Sequence, residues 1–118
     1  MAFAKVYSAQ PGFPDSTIVT IEADLTRGGL HSFTIVGLPD KAVEEAKDRV
    51  SSAIKNSGFE SPKSTNHKVV ISLAPADIKK EGPLYDLGIA LAYLRTTDVY
   101  TKDTSSMLFT GELALNGE

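Results

Sequence analysis

The side chains able to do chemistry gather in one stretch. Between positions 77 and 86 stand Asp77, Lys79, Lys80, Glu81, Tyr85 and Asp86, and Glu112 adds a later carboxylate. Two carboxylates perform general acid–base catalysis when their surroundings push their pKa values apart. Four acidic residues in a chain that holds fifteen do not by themselves make such a pair. A lone tyrosine is a poor nucleophile near neutral pH, because its free pKa is about 10. Asp86 opens an apolar run, where a carboxylate caps backbone N–H groups and meets the positive end of a helix dipole. Lys79 and Lys80 read either as a contact for phosphate or a partner, or as a solvated loop.

The rest of the chain offers little more. His31 and His67 are isolated in sequence, whereas a metal site needs three or four converging ligands. There is no cysteine, which excludes disulfides, zinc–thiolate sites and a thiol nucleophile. No Gly-x-x-x-x-Gly-Lys-Ser/Thr motif is present, so the chain itself has no P-loop for a nucleoside triphosphate. Gly28-Gly29 reads as a turn rather than an anion nest. No catalytic residue, metal ligand or cofactor ligand is assigned.

These residues must be positioned by a modest set of elements. Ala2 to Ala9 reads as a strand with Val6 and Ser8 on one face. Pro11 to Asp15 is a turn. Thr17 to Leu25 alternates with Val19, Ile21, Ala23 and Leu25 on one side, the mark of a half-buried strand. Ser32 to Val36 is a third strand. Pro39 and Asp40 open a helix that carries Val43, Ala46, Val50, Ala53 and Ile54 at helical spacing and stops at Gly58. Lys68 to Ala74 is apolar through its centre, as for a strand buried on both faces. Tyr85 to Arg95 is a second helix, apolar almost all round. Thr96 to Ser106 is a polar loop. Met107 to Leu115 resumes strand character, and Asn116-Gly117 is a hairpin signal.

Length and charge bound the function classes. A chain of 118 residues fits one domain with its own core. The net charge is −3, and the twelve lysines and arginines are spread out, against a domain that binds DNA alone. Nothing resembles a signal peptide, and no run approaches the length of a membrane-spanning helix. Absence of cysteine suits a cytoplasmic protein. Because a hairpin needs its second strand, the chain reads as a piece of a longer protein.

Several phrases together carry a family resemblance. They are Phe33-Thr34-Ile35-Val36-Gly37-Leu38-Pro39-Asp40, Ala53-Ile54-Lys55-Asn56-Ser57-Gly58-Phe59 and Ser72-Leu73-Ala74-Pro75-Ala76-Asp77. Then come Lys79-Lys80-Glu81-Gly82-Pro83, Tyr85-Asp86-Leu87 and Phe109-Thr110-Gly111-Glu112-Leu113. In order and spacing the chain closely resembles the N-terminal domain of the ComM/YifB family of magnesium-chelatase-like AAA+ ATPases. The resemblance implies that residues 1–118 form a Lon-protease-domain-like α/β (α+β) domain. It would have a mostly antiparallel sheet with two main helices packed on one side. It places an AAA+ module, with ATP and magnesium, beyond residue 118. It implies a cytoplasmic hexamer that handles DNA, linked to natural transformation and branch migration, with no membrane partner.

The Lon comparison can be read residue by residue. Lon-type proteases follow Gly-Pro with a nucleophilic serine and use a later lysine as general base. Here Gly82-Pro83 is followed by Leu84, and the lysine's counterpart would fall past the end of the chain. The expectation is a non-catalytic domain that supports hexamer assembly or guides DNA, with Lys79, Lys80 and Lys63 as candidate contacts. The alternatives are a hydrolase built around Tyr85, Asp86 and Lys79, and a protein-interaction module.

Overall fold

A computed structural model describes residues 2–10, 17–28, 31–62, 67–76, 78–97, 104 and 106–118. The expected turn at 11–15, Lys63, Asp77 and most of the 96–106 loop lie outside the described residues.

Four strands form one mixed sheet: β1 (Ala2–Gln10), β2 (Thr17–Arg27), β3 (Ser32–Val36) and β4 (His67–Ala74). The spatial order is β1-β2-β4-β3. β1 and β2 pair antiparallel from Ala2 opposite Leu25 to Gln10 opposite Thr17. β2 and β4 also pair antiparallel, whereas β3 and β4 run parallel from Ser32 opposite Lys68. A parallel pair needs a long crossover. Here it contains α1 (Lys41–Glu44) and α2 (Ala46–Asn56). After β4 the chain forms α3 (Asp86–Thr96). The architecture is thus α+β, with two of three strand pairings antiparallel and two main helices.

The sheet buries one face. Val6 in β1, Val19, Ile21, Ala23 and Leu25 in β2, Phe33 and Ile35 in β3, and Val69, Ile71 and Leu73 in β4 all point to the core. Val43, Ala46, Val50 and Ile54 meet them from the crossover, and Ile89, Ala90, Ala92 and Tyr93 from α3. The alternation in β2 places the core face on the residues that the period-two pattern selects.

Three expectations need correction. β4 is buried on one face only, because Val70 and Ser72 lie half-exposed on the side no helix covers. Its apolar centre reflects β-branched residues suited to a central strand rather than two-sided burial. The helix expected from Asp40 to Gly58 is broken at Glu45, which caps α1 and precedes α2. Beside the break, the carbonyl of Ala42 accepts Nη2 of Arg49 at 2.8 Å. Finally, Met107 to Leu115 is extended but forms no continuous ladder with a strand among the described residues. Its ladder contact is one parallel bridge between Leu108 and Tyr7, because its other partners are a helix start and a turn.

At the end of β3 the backbone passes tightly against β4. Gly37 has φ of 107°, and a Cβ there would sit 2.1 Å from the carbonyl oxygen of Leu73. No other residue fits without moving one of the two chains.

Candidate functional site

The loop from Ile78 to Tyr85 is held at both ends by backbone pairing. Lys80 N–H donates to the Leu38 carbonyl at 2.9 Å, and Asp40 N–H donates to the Lys80 carbonyl at 2.9 Å. Asp40 then does two jobs. One carboxylate oxygen accepts from Val43 N–H at 2.8 Å and caps α1, as its position in the sequence predicts. The other accepts from Gly82 N–H at 3.1 Å. Gly82 has φ of 85°, a conformation that favours glycine and turns the chain into α3.

The lysines of this loop part company. Lys79 is exposed. Lys80 is fully buried, and its ammonium donates to the carbonyl of Pro75. Lys80 is therefore not a surface contact, and the reading of a paired lysine patch is corrected on that point. Its long stem is packed inside the loop it closes. Lys63 lies outside the described residues.

Tyr85 is also taken inward. It is 1% exposed, and its hydroxyl donates to Gln10 Oε1, which also accepts from Glu81 N–H at 3.1 Å. Burial, with Asp40 and Glu81 nearby, pushes the Tyr85 phenol up to about 12. That is the reverse of what a nucleophilic phenolate requires.

Asp86 is the most committed group. It is fully buried. Arg49 grips it with Nε at 2.7 Å from one carboxylate oxygen and Nη2 at 3.0 Å from the other. The first of these oxygens also accepts from Leu113 N–H at 3.1 Å. The expectation that Asp86 caps α3 is thus corrected. The N-cap is Tyr85, without a side-chain cap bond, and Asp86 occupies the first turn. A bidentate guanidinium is a stronger partner than the helix amides beside it. The same hydrogen bonds, above all, hold the Arg49 guanidinium above its ordinary pKa.

No local pattern gives Arg49 its partner, because Asp86 lies 37 residues away. Gln10 carries no local signal either, since it lies 75 residues from Tyr85. Leu84, in the place of a serine, is 39% exposed and offers only an aliphatic side chain. Glu112 is exposed. His31 is exposed, and His67 is buried with Nε2 3.2 Å from an Arg27 Nη and 3.7 Å from Glu60 Oε1. His67 and Arg27 are register partners across β4 and β2. Among the described residues no three His, Asp or Glu side chains converge as metal ligands. Nor is any helix there long and apolar enough to cross a membrane.

A groove of about 280 Å³ lies at the β1 edge, lined by Tyr7, Ile18, Ser106, Met107 and Leu108. Among the described residues its lining includes no carboxylate, histidine or lysine, and none of the loop residues above.

Comparison with known proteins now assigns the chain. The family described as subunit ChlI of Mg-chelatase matches residues 21–118. The protein ComM of Haemophilus influenzae, named as a competence protein, is 41% identical over 119 residues, covering 100% of this chain. This chain belongs to the magnesium-chelatase-like ComM/YifB family. YifB of Escherichia coli K12 is 47% identical over 100 residues and YifB of Salmonella typhimurium 48%, each across 84% of this chain. The chain spans about a fifth of the length of these relatives: 19% of each YifB and 23% of ComM.

Proposed function

We propose that this chain is a non-catalytic, Lon-protease-domain-like N-terminal domain of a longer magnesium-chelatase-like ATPase, and that it guides DNA on one face of a hexameric ring. The observation that carries the non-catalytic reading is the fate of the reactive side chains. Asp86 is spent on Arg49 and Leu113, Lys80 on Pro75, and Tyr85 on Gln10. The residue after Gly82-Pro83 is leucine. ATP and magnesium belong to the module expected beyond residue 118. The name of the Haemophilus relative, a competence protein, supports the link to natural transformation.

DNA guidance rests on Lys79. One net-negative domain binds DNA poorly, but a ring repeats its exposed Lys79 in every subunit. Binding of duplex DNA by the full-length protein tests this across a salt series. Lys79→Glu is expected to weaken binding severalfold and to flatten the dependence on salt, by about 0.9 in the log–log slope for each phosphate no longer neutralised. Unchanged affinity and slope would remove the DNA role and leave assembly or protein binding as the domain's task.

A further inference from the structure

The end of the sheet opposite Lys79 carries a second, smaller cavity. Its volume is about 140 Å³, and Arg27, Phe59, Glu60, His67, Leu94 and Thr97 line it. Arg27 ends β2 and His67 begins β4, and the two are register partners. Lys79 follows the other end of β4. Sites that enclose a whole small ligand start at roughly 300 Å³. This cavity therefore takes one group of a larger molecule.

Its polar groups are of both kinds and are held in place. A guanidinium only donates, so Arg27 Nη1 donates to His67 Nε2 at 3.2 Å. Glu60 Oε1 approaches the same nitrogen at 3.7 Å. A donor and an acceptor thus stand side by side at one wall. Their anchors are buried: His67 is 5% exposed, and the buried Tyr93 donates its hydroxyl to the Glu60 carbonyl at 3.2 Å. Phe59 N–H donates to the Ile54 carbonyl at 3.1 Å, which ties Phe59 to the end of α2. Phe59 is 41% exposed, and with Leu94 it separates this cavity from the apolar groove between α2 and α3. The rim is basic. Arg27, His31 and Lys68 are all exposed. Register brings them to one end of three adjacent strands, since Lys68 lies opposite Thr26 on one side and Ser32 on the other. Among the described residues lining the cavity, Glu60 supplies the one carboxylate.

We infer that this cavity receives one unpaired base of single-stranded DNA, cytosine or adenine, stacked on Phe59. Each of these bases carries an amine donor beside a ring-nitrogen acceptor on its pairing edge. Glu60 accepts from the amine, and Arg27 donates to the ring nitrogen. Lys68 and His31 face the flanking phosphates. The pairing edge is occupied in a duplex, so only an unpaired base enters. Stacking tolerates any base, and the Glu60–Arg27 pair selects against thymine, which lacks the amine. The basic rim favours nucleic acid over a peptide, because a strand brings a phosphate on each side of the inserted base. The inference deepens the proposed function and rests on its premise that the domain meets DNA, at the end of β4 away from Lys79.

Photocross-linking of the full-length protein tests it, with an oligo-dC single strand that carries 5-iodocytosine as the probe. An adduct mapped to Phe59 is expected, absent when the same oligomer is annealed into a duplex. Phe59→Leu is expected to abolish the adduct and to weaken single-strand binding by at least about 5-fold. Glu60→Gln keeps the size of an exposed side chain and is expected to narrow the preference for oligo-dC over oligo-dT. Adducts confined to other residues, equal losses on single strand and duplex, or a loss confined to an RNA oligomer overturn the inference. Lys79→Glu run in parallel separates the two claims. Weakened duplex binding in that variant, with no adduct at Phe59 in the unaltered protein, overturns this site and leaves the proposed function standing. An adduct at Phe59 with Lys79→Glu silent supports the site and withdraws guidance through Lys79.

Discussion

Arg49 and Asp86 decide how the helical layer meets the final segment. The fork from Arg49 spans α2 and α3, its Nη2 also holds Ala42, and the carboxylate it orients receives Leu113. Removing Arg49 strands a buried carboxylate. Arg49→Ala is expected to lower unfolding stability by about 3 kcal/mol, read by denaturant titration. Arg49→Lys restores little of this, because an ammonium cannot form the planar two-point contact. The paired replacement Arg49→Met with Asp86→Leu is expected to cost less than the sum of the single changes. Lys80→Met keeps the packed stem and withdraws the donor from Pro75, at a cost of about 1–3 kcal/mol.

Among the described residues, the buried Tyr85 and Tyr93 give a pH dependence with a definite sign. Tyr85 and Tyr93 are both pushed up to about 12, chiefly by burial. In the unfolded chain they ionise near 10. Between those values the folded state binds more protons than the unfolded one, so stability falls as pH rises. The contribution is intact below pH 10 and disappears progressively up to pH 12. Equilibrium unfolding across that range is expected to show a loss of about 2–3 kcal/mol for each tyrosine, halved in Tyr85→Phe.

At the scale of elements, the β3-to-α1 connection passes close against β4. Gly37→Ala places a methyl group against the Leu73 carbonyl at a backbone angle that disfavours it. The expected cost is at least about 3 kcal/mol, visible as a lowered thermal midpoint. Most elements were legible in the sequence because their patterns are local. β2 alternates, and Asp40 sits where an N-cap belongs. The break at Glu45 was not legible, because Arg49 reaches back to the Ala42 carbonyl beside it and no propensity records that hydrogen bond. The strand character of Met107 to Leu115 is legible in the sequence, and the segment is extended although it forms no continuous ladder among the described residues. Its pairing is not legible, since a strand's partners are set by tertiary structure.

At the scale of the whole molecule, the family was legible because its phrases recur in fixed order along nearly the full chain. The candidate site was only half legible. Leu84 in place of serine can be read from one residue, whereas the burial of Lys80 and the engagement of Asp86 depend on partners far off in sequence. Together they turn a loop rich in reactive residue types into a joint. It ties the start of α1 to α3 through Asp40, and α3 to the final extended segment through Asp86.

That claim, architecture in place of catalysis, is tested most directly by casein turnover with the full-length protein, compared with its Tyr85→Phe and Lys79→Met variants. Turnover indistinguishable from buffer is expected for all three. Turnover by the unaltered protein that disappears in either variant would contradict it.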